Sequence, residues 1–222
     1  MRLKSRIVAV AAASLLGAIG GCQGAKQAAP TGGFVPLFDG RTLDGWVQRG
    51  GKAVYRVEGG CIEGETRPDQ PNTFLCTEKD YCDFTLELEF KVDDALNSGV
   101  QFRSQFRPEK GLERVYGYQA EIDPSARAWT GGIYDEGRRA WFAPIENTPE
   151  SRTAFRHGEW NSMRVECRGD HMRTWINGVP CADIHDSMTA CGFIGLQVHG
   201  VGAKKEPLTV RWRNIRIRPD AA

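Results

Sequence analysis

Three short segments of this chain set carboxylate, amide, guanidinium and imidazole groups on alternate positions. In Gly117-Tyr118-Gln119-Ala120-Glu121-Ile122-Asp123, the polar Gln119, Glu121 and Asp123 alternate with Tyr118, Ala120 and Ile122. Gln101 and Arg103 alternate with Val100 and Phe102, and Gln197 and His199 with Leu196 and Val198. Successive side chains of a β-strand point to opposite faces, so each segment reads as a strand with one apolar and one hydrogen-bonding face. If the three strands are neighbours in one curved sheet, their polar faces form a concave floor. Asn97, Trp129, Tyr134, Arg138 and Arg139 would rim that floor from loops. Aromatic rings beside planar polar groups suit a sugar, whose ring has an apolar face and a fringe of hydroxyls. Gln101, Gln119, Asp123 and Gln197 are the expected binding groups of the floor, and Arg103, Glu121 and His199 its reactive ones. The duller alternative for Arg103 is an ion pair with Glu121 or Asp123 across the sheet.

Glu121-Ile122-Asp123 resembles the Glu-x-Asp strand of sandwich-fold glucanases, which carry a further glutamate on the same face. Here Pro124, Ser125 and Ala126 follow instead. A retaining glycosidase needs two carboxyl groups about 5 Å apart, and the segment does not supply the second. No nucleophile elbow, phosphate-binding loop or dinucleotide fingerprint is present either.

The surrounding chain reads as all-β. Phe84, Leu86, Leu88, Phe90 and Val92 alternate with Thr85, Glu87, Glu89 and Lys91, and no stretch keeps an apolar 3.6-residue repeat. Glu58-Gly59-Gly60 and Asn177-Gly178 are hairpin turns. Pro124 ends the strand at 118–123, because proline has no N–H for the ladder. A short helix is expected near Glu150–Ala154. The expectation is a two-sheet antiparallel β-sandwich of the jelly-roll kind, with Leu86, Leu88, Phe90, Phe102, Ile122, Val165, Ile176, Leu196 and Ile215 in its core.

Arg2, Lys4 and Arg6 precede an apolar run, Ile7 to Ile19, and then Gly20-Gly21-Cys22. This is a secretory signal peptide over 1–22, and Ile-Gly-Gly-Cys resembles a bacterial lipobox whose cysteine is lipidated. Residues 23–33, rich in Gly, Ala, Gln and Pro, read as a flexible tether, and 34–222 as a single domain. Gln23 is not the aspartate that retains some lipoproteins on the inner membrane, so the expected site is the outer membrane, facing the periplasm. The domain holds Cys61, Cys76, Cys82, Cys167, Cys181 and Cys191; six cysteines allow fifteen pairings, and the sequence does not choose among them or against free thiols. A net charge of +1 argues against a nucleic-acid partner.

Several pieces together resemble the 3-keto-disaccharide hydrolase domain. They are Leu37-Phe38-Asp39-Gly40, Leu43-Asp44-Gly45-Trp46, Asn97-Ser98-Gly99-Val100, the block from Gly117 to Arg139, Gly158-Glu159-Trp160-Asn161, Asn177-Gly178, Gly195-Leu196-Gln197-Val198-His199 and Arg213-Asn214-Ile215. The resemblance implies a concanavalin-type jelly roll that cleaves glycosides already oxidised to the ketone at C3. Where many members read Gly-Tyr-Glu-x-Gln, this chain reads Gly-Tyr-Gln-Ala-Glu, with the carboxylate two residues on and on the same face. A C3 ketone acidifies the C2 proton, so a base can form an enolate that expels the C1 group, and water can add back. Such a site needs one base and one electrophile. His199 or Glu121 would be the base, since an ordinary imidazole titrates near neutrality, and Arg103 the oxyanion partner. Alternatively Glu121, Asp123 and His199 would hold a divalent cation as Lewis acid. Two other classes compete: a non-catalytic carbohydrate-binding lipoprotein using the same face, and a structural envelope protein.

The lipobox gives a direct expectation. Cys22→Ser abolishes palmitate labelling and moves the protein from the membrane to the soluble fraction; unchanged partitioning would refute lipidation.

Overall fold

A computed structural model of the chain describes residues 33–143 and 149–220. The signal peptide with Cys22, and the tether up to residue 32, lie outside the described residues. The early strands are β1 (Val35–Pro36), β2 (Trp46–Gly50), β3 (Val54–Glu58), β4 (Cys61–Glu65), β5 (Thr73–Tyr81), β6 (Phe84–Val92), β7 (Ser98–Glu109) and β8 (Leu112–Ile122). They are followed by β9 (Ile133–Glu136), β10 (Ala140–Ala143), one helical turn α1 (Pro149–Arg152), β11 (Asn161–Arg168), β12 (His171–Ile176), β13 (Val179–His185), β14 (Gly192–Val198) and β15 (Thr209–Pro219). The helix falls where the sequence placed one.

The strands form two antiparallel sheets packed face to face, the sandwich that the alternating patterns predict. The eight-stranded sheet runs β13-β12-β11-β6-β15-β4-β3, with β1 also paired to β15. The seven-stranded sheet runs β10-β9-β8-β7-β14-β5-β2. All nine expected core residues are 0–2% exposed and lie in the layer between the sheets. A one-residue slip would turn such side chains to water at about 1.5–3 kcal/mol each, which fixes the register. On the outer face of the eight-stranded sheet, Arg213 pairs with Glu89 and Arg216 with Glu87 across β6 and β15, both at 2.6 Å. That face is charged and solvated.

Turn chemistry follows the sequence. Gly59-Gly60 and Asn177-Gly178 all have positive φ, as two-residue hairpins of this hand require. A third such turn, Lys110-Gly111 with φ of 50° and 80°, is invisible to an Asn-Gly search. It joins β7 to β8, so the strand expected at 118–123 starts at Leu112, and the two make one long hairpin.

This hairpin does not stay flat. Its register shifts between Phe102 and Gln105, and Gly117, at φ 135°, faces Ser104 so closely that a Cβ would lie 2.6 Å from its Oγ. Beyond the bend, Arg49 of β2 pairs with Glu113 at 2.5 Å and stacks on Phe106 at 3.6 Å. Because β7, β14 and β5 separate β8 from β2 in the sheet, the hairpin must cross over its outer face. Val115 is buried there against Phe74, Cys76 and Phe193 in a cluster separate from the main core.

Of the six cysteines, Cys82 and Cys191 are joined, while Cys61, Cys76, Cys167 and Cys181 are buried thiols. The bond ties the β5–β6 turn to the residue before β14, closing a sequence separation of 109. Removing a cross-link of that span costs about 2–5 kcal/mol. Urea unfolding of Cys82→Ser is expected to show a loss in this range, and a midpoint equal to wild type would show that the bond adds nothing.

Candidate active site

The bent hairpin covers part of the outer face of the seven-stranded sheet and leaves a cleft of about 590 Å³ over the rest. Its floor is laid down by strand register. One cross-strand row is Phe74, Gln197, Gly99 and Glu121. The next is Cys76, Gly195, Gln101, Gln119, Tyr134 and Trp141. The three segments expected to form a floor, on β7, β8 and β14, are therefore neighbours, and Gln101, Gln119, Glu121 and Gln197 share its polar face. Gly99 leaves the room that this packing needs. A Cβ there would lie 2.4 Å from Cδ of Gln119, whose side chain crosses that space.

Glu121 is 3% exposed, yet both its oxygens are satisfied. Asn97 Nδ2 donates to Oε1 at 2.6 Å, and Gln119 Nε2 donates to Oε2 at 2.8 Å. Gln119 in turn accepts from Gln101 Nε2 at 2.7 Å, and Gln101 accepts from the Ser104 hydroxyl at 2.6 Å. This file of amides fixes which atom points where. Burial pushes the Glu121 carboxyl up, the bonds from Asn97 and Gln119 pull it down, nearby Asp123 pushes it up again, and the result is a pKa of about 7. A carboxyl poised there can both take and give a proton at neutral pH.

Gln197 is 0% exposed, and neither its Oε1 nor its Nε2 has a partner in the protein. An unsatisfied buried amide costs about 1–3 kcal/mol, so this cleft-lining group is poised for a ligand's hydroxyl or carbonyl. His199 sits at the end of the same strand, with Nδ1 2.7 Å from the Gly200 carbonyl. A carbonyl only accepts, so Nδ1 carries the proton and Nε2 the lone pair.

The far wall holds Trp141 and Tyr134, ring centroids 5.3 Å apart and edge to face. Arg127 lies 5.0 Å from the Trp141 ring and pairs with Asp123 at 2.7 Å. Burial pushes the Asp123 carboxyl up, but the bonds from Arg127 and Ser125 outweigh it and hold it below the ordinary value. Glu136 and Asn72 close the side toward the hairpin.

Residues 33–218 match the family described as the 3-keto-alpha-glucoside-1,2-lyase-like domain. The chain belongs to this family. A relative from Bacteroides thetaiotaomicron, named 3-keto-disaccharide hydrolase, is 28% identical over 153 residues, which are 60% of this chain and 52% of the relative. The chain thus spans about half the length of that curated protein. A candidate glycosyl hydrolase from Parabacteroides distasonis superposes with TM-score 0.61 at 18% identity, covering 85% of this chain and 94% of the other. A carbohydrate-binding module from Bacillus subtilis superposes with TM-score 0.54 at 20% identity, covering 78% and 95%. At these identities the two structures establish the fold alone, a jelly-roll β-sandwich.

Within this family fold, several expected site residues lie elsewhere. Arg103 does not reach the floor. The bulge after Phe102 holds it at φ 46°, and its side chain, 1% exposed, donates to the carbonyls of Cys82 and Gly169 and to Asp83, each at 2.7 Å. It locks the β5–β6 turn to the β11–β12 turn, so it pairs with neither Glu121 nor Asp123 and cannot be their oxyanion partner. Arg138 and Arg139 both pair with Asp135, which follows Tyr118 onto the opposite face of the sheet from Tyr134. Arg139 also pairs with Asp186 at 2.8 Å, and neither arginine lines the cleft. Trp129 stands behind Trp141, centroids 4.3 Å apart, and supports the wall without lining it. Among the described residues no three His, Cys, Asp or Glu are gathered to hold a metal ion. Glu121, Asp123 and His199, expected as a ligand set, are not gathered in this way.

Asn72, Arg127, Glu136 and Trp141 were not picked out from the sequence. Ile133-Tyr134-Asp135-Glu136 does alternate, and that pattern is the signal that would have placed Glu136 beside Tyr134. Arg103→Met separates a structural arginine from a catalytic one. Asp83 is half exposed, so losing the hydrogen bonds of this charged donor costs about 1.5–3 kcal/mol, and unfolding should shift accordingly while ligand affinity of the folded protein stays unchanged. Weakened binding at full stability would return Arg103 to the site.

Proposed function

We propose that this protein cleaves glycosides of 3-keto sugars by removing the C2 proton and eliminating the C1 substituent, after which water adds to the enone. The observation that carries this reading is the buried Glu121 carboxyl, at a pKa of about 7, on a floor beside the unpartnered Gln197 amide. Family membership supports the substrate class, and the Bacteroides relative's name is consistent with it.

Each residue has a distinct part. Glu121, ionised, takes the C2 proton; Asn97 and Gln119 hold its oxygens in place. As charge moves to the C3 oxygen, Gln197 Nε2 supplies the N–H it needs. A preorganised donor of that kind is worth about 3 kcal/mol in the transition state. His199, with its Nε2 lone pair, accepts from a sugar hydroxyl, and Trp141 and Tyr134 offer ring faces. No second carboxylate is needed as a nucleophile at C1, because the electron pair of the C2–H bond displaces the C1 oxygen. The N-terminal pattern supports the rest of the proposal, an exported protein anchored through lipid on Cys22 at the periplasmic face of the outer membrane.

The base must be ionised to act, so kcat/KM should rise about tenfold per pH unit below pH 7. In heavy water, turnover of a 3-keto-glucoside should leave deuterium at C2 of the product, after correction for spontaneous enolisation. Glu121→Gln should cost about two to four decades in rate and flatten the pH limb, while His199→Ala should mainly raise KM. Turnover without C2 exchange would refute elimination. Sugar binding without turnover would make the protein a carbohydrate-binding module, and retention of exchange by Glu121→Gln with its loss in His199→Ala would reverse the assignment.

A further inference from the structure

The cleft does not end at its side wall. Glu136 and Asn72 line both it and a second cavity of about 390 Å³ beneath the bent hairpin. That cavity is walled by Phe74, Leu112 and Val115, with Lys110, Arg114 and Glu109 beside them. Both volumes fall within the range of small-ligand sites, about 300–1,000 Å³. The two chambers differ in chemistry: one has the amide-rich floor with the unpartnered Gln197, the other apolar walls with a charged edge of both signs. Among the described residues, the only carboxyl lining both is Glu136.

Resting on the reading of the floor as the seat of the 3-keto sugar, we propose that the second cavity receives the leaving group, an aglycone with an apolar ring face. Glu136 at the junction then gives its proton to the glycosidic oxygen as the C1–O bond breaks. Register puts Glu136 opposite Gly117, on the same face as Tyr134 and Gln119. Both Glu136 and Glu121 act electrostatically on Tyr134, whose hydroxyl is pushed up by burial first, then by these two carboxylates. The base and the acid thus flank one tyrosine on one face of the sheet. Asn72 accepts from the Gly200 amide at 2.9 Å through Oδ1, which leaves its Nδ2 to donate to Glu136. Burial raises the Glu136 carboxyl above the ordinary value, against the lowering effects of Arg114 and Asn72.

The step balances. The C2–H electron pair becomes the C1=C2 bond as its proton passes to Glu121. The C1–O pair leaves with the aglycone oxygen, which takes the proton of Glu136. Water addition runs the same path backwards: Glu136, now a carboxylate, takes a proton from water as the water oxygen bonds to C1, and Glu121, after its proton has exchanged with solvent, protonates C2.

The test compares leaving groups on the full chain. A 4-nitrophenolate departs without protonation, whereas the sugar alkoxide of 3-keto-trehalose needs a proton. Glu136→Gln should lose about 10²–10⁴-fold in kcat/KM on 3-keto-trehalose and less than tenfold on 4-nitrophenyl 3-keto-glucoside. Glu136→Ala is measured beside it, so the ratio is still read if one variant folds poorly, since misfolding lowers both rates equally. Leu112→Asp, on the second cavity's wall, should raise KM several-fold for both substrates and leave KM for the methyl 3-keto-glucoside unchanged. Equal losses on both leaving groups, or none on 3-keto-trehalose, overturn the role of Glu136 while wild-type C2 exchange keeps the underlying reading intact. An unmoved KM in Leu112→Asp overturns the aglycone cavity. A wild type that neither turns over nor exchanges C2 removes that reading and this inference together.

Discussion

The bend in the β7–β8 hairpin is the constraint on which the site depends. A sandwich sheet has one face on the core and one face in water, and polar groups on a fully wetted face keep their ordinary chemistry. Here the ladder breaks after Phe102, Gly117 lets the backbone pass against Ser104, and the outer half of the hairpin crosses β14 and β5 to reach β2. Val115 closes a second small apolar cluster on what would otherwise be solvated surface. The uncovered remainder is a recess walled on one side by the sheet's own chain. Any larger residue at 117 would meet the backbone and side chain of Ser104, in a conformation that favours glycine.

Enclosure changes what the floor can do. A glutamate on an open strand titrates near its ordinary value, but Glu121 is 3% exposed and reaches about 7 although two amides donate to it. Burial therefore outweighs about two hydrogen bonds' worth of stabilisation of the carboxylate. The same enclosure leaves Gln197 with no partner on either amide atom. Neither feature helps the fold. Each is a local cost carried by the core between the sheets, the pattern expected where stability is set against function.

Much of this was legible in the sequence, for a definite reason. Alternation reports which face a side chain takes, so the shared polar face of Gln101, Gln119, Glu121 and Gln197 follows from period two once the strands are neighbours. Alternation fails where the backbone departs from extended geometry. Arg103 continues the polar phase of Gln101 in the sequence, yet the left-handed residue in the bulge carries it to the end of the sandwich. Arg138 and Arg139 failed differently: they looked like ligands because they are cations in a loop, but Asp135 on the inner face had already claimed them. Asn72 and Trp141 enter the site through where the loop before β5 and strand β10 lie in space, which is tertiary information that no local pattern holds.

The order of residues on β8 gains meaning from this geometry. Gln119 and Glu121 are two apart on one face and joined by a hydrogen bond of 2.8 Å. The Gly-Tyr-Glu-x-Gln pattern that this strand resembles would interchange them and still keep one amide and one carboxylate in contact. The rows, however, are not equivalent. Position 119 lies beside Gln101 and Tyr134, whereas position 121 lies beside Gly99, next to Gln197. A carboxyl at 119 would face an amide donor from Gln101, which favours the ionised form and lowers its pKa. A carboxyl at 121 has a glycine for its cross-strand neighbour and takes its donors from Asn97 and Gln119 instead. The interchange thus conserves the chemical inventory of the floor while moving its carboxyl one row toward the end of the sheet where His199 sits.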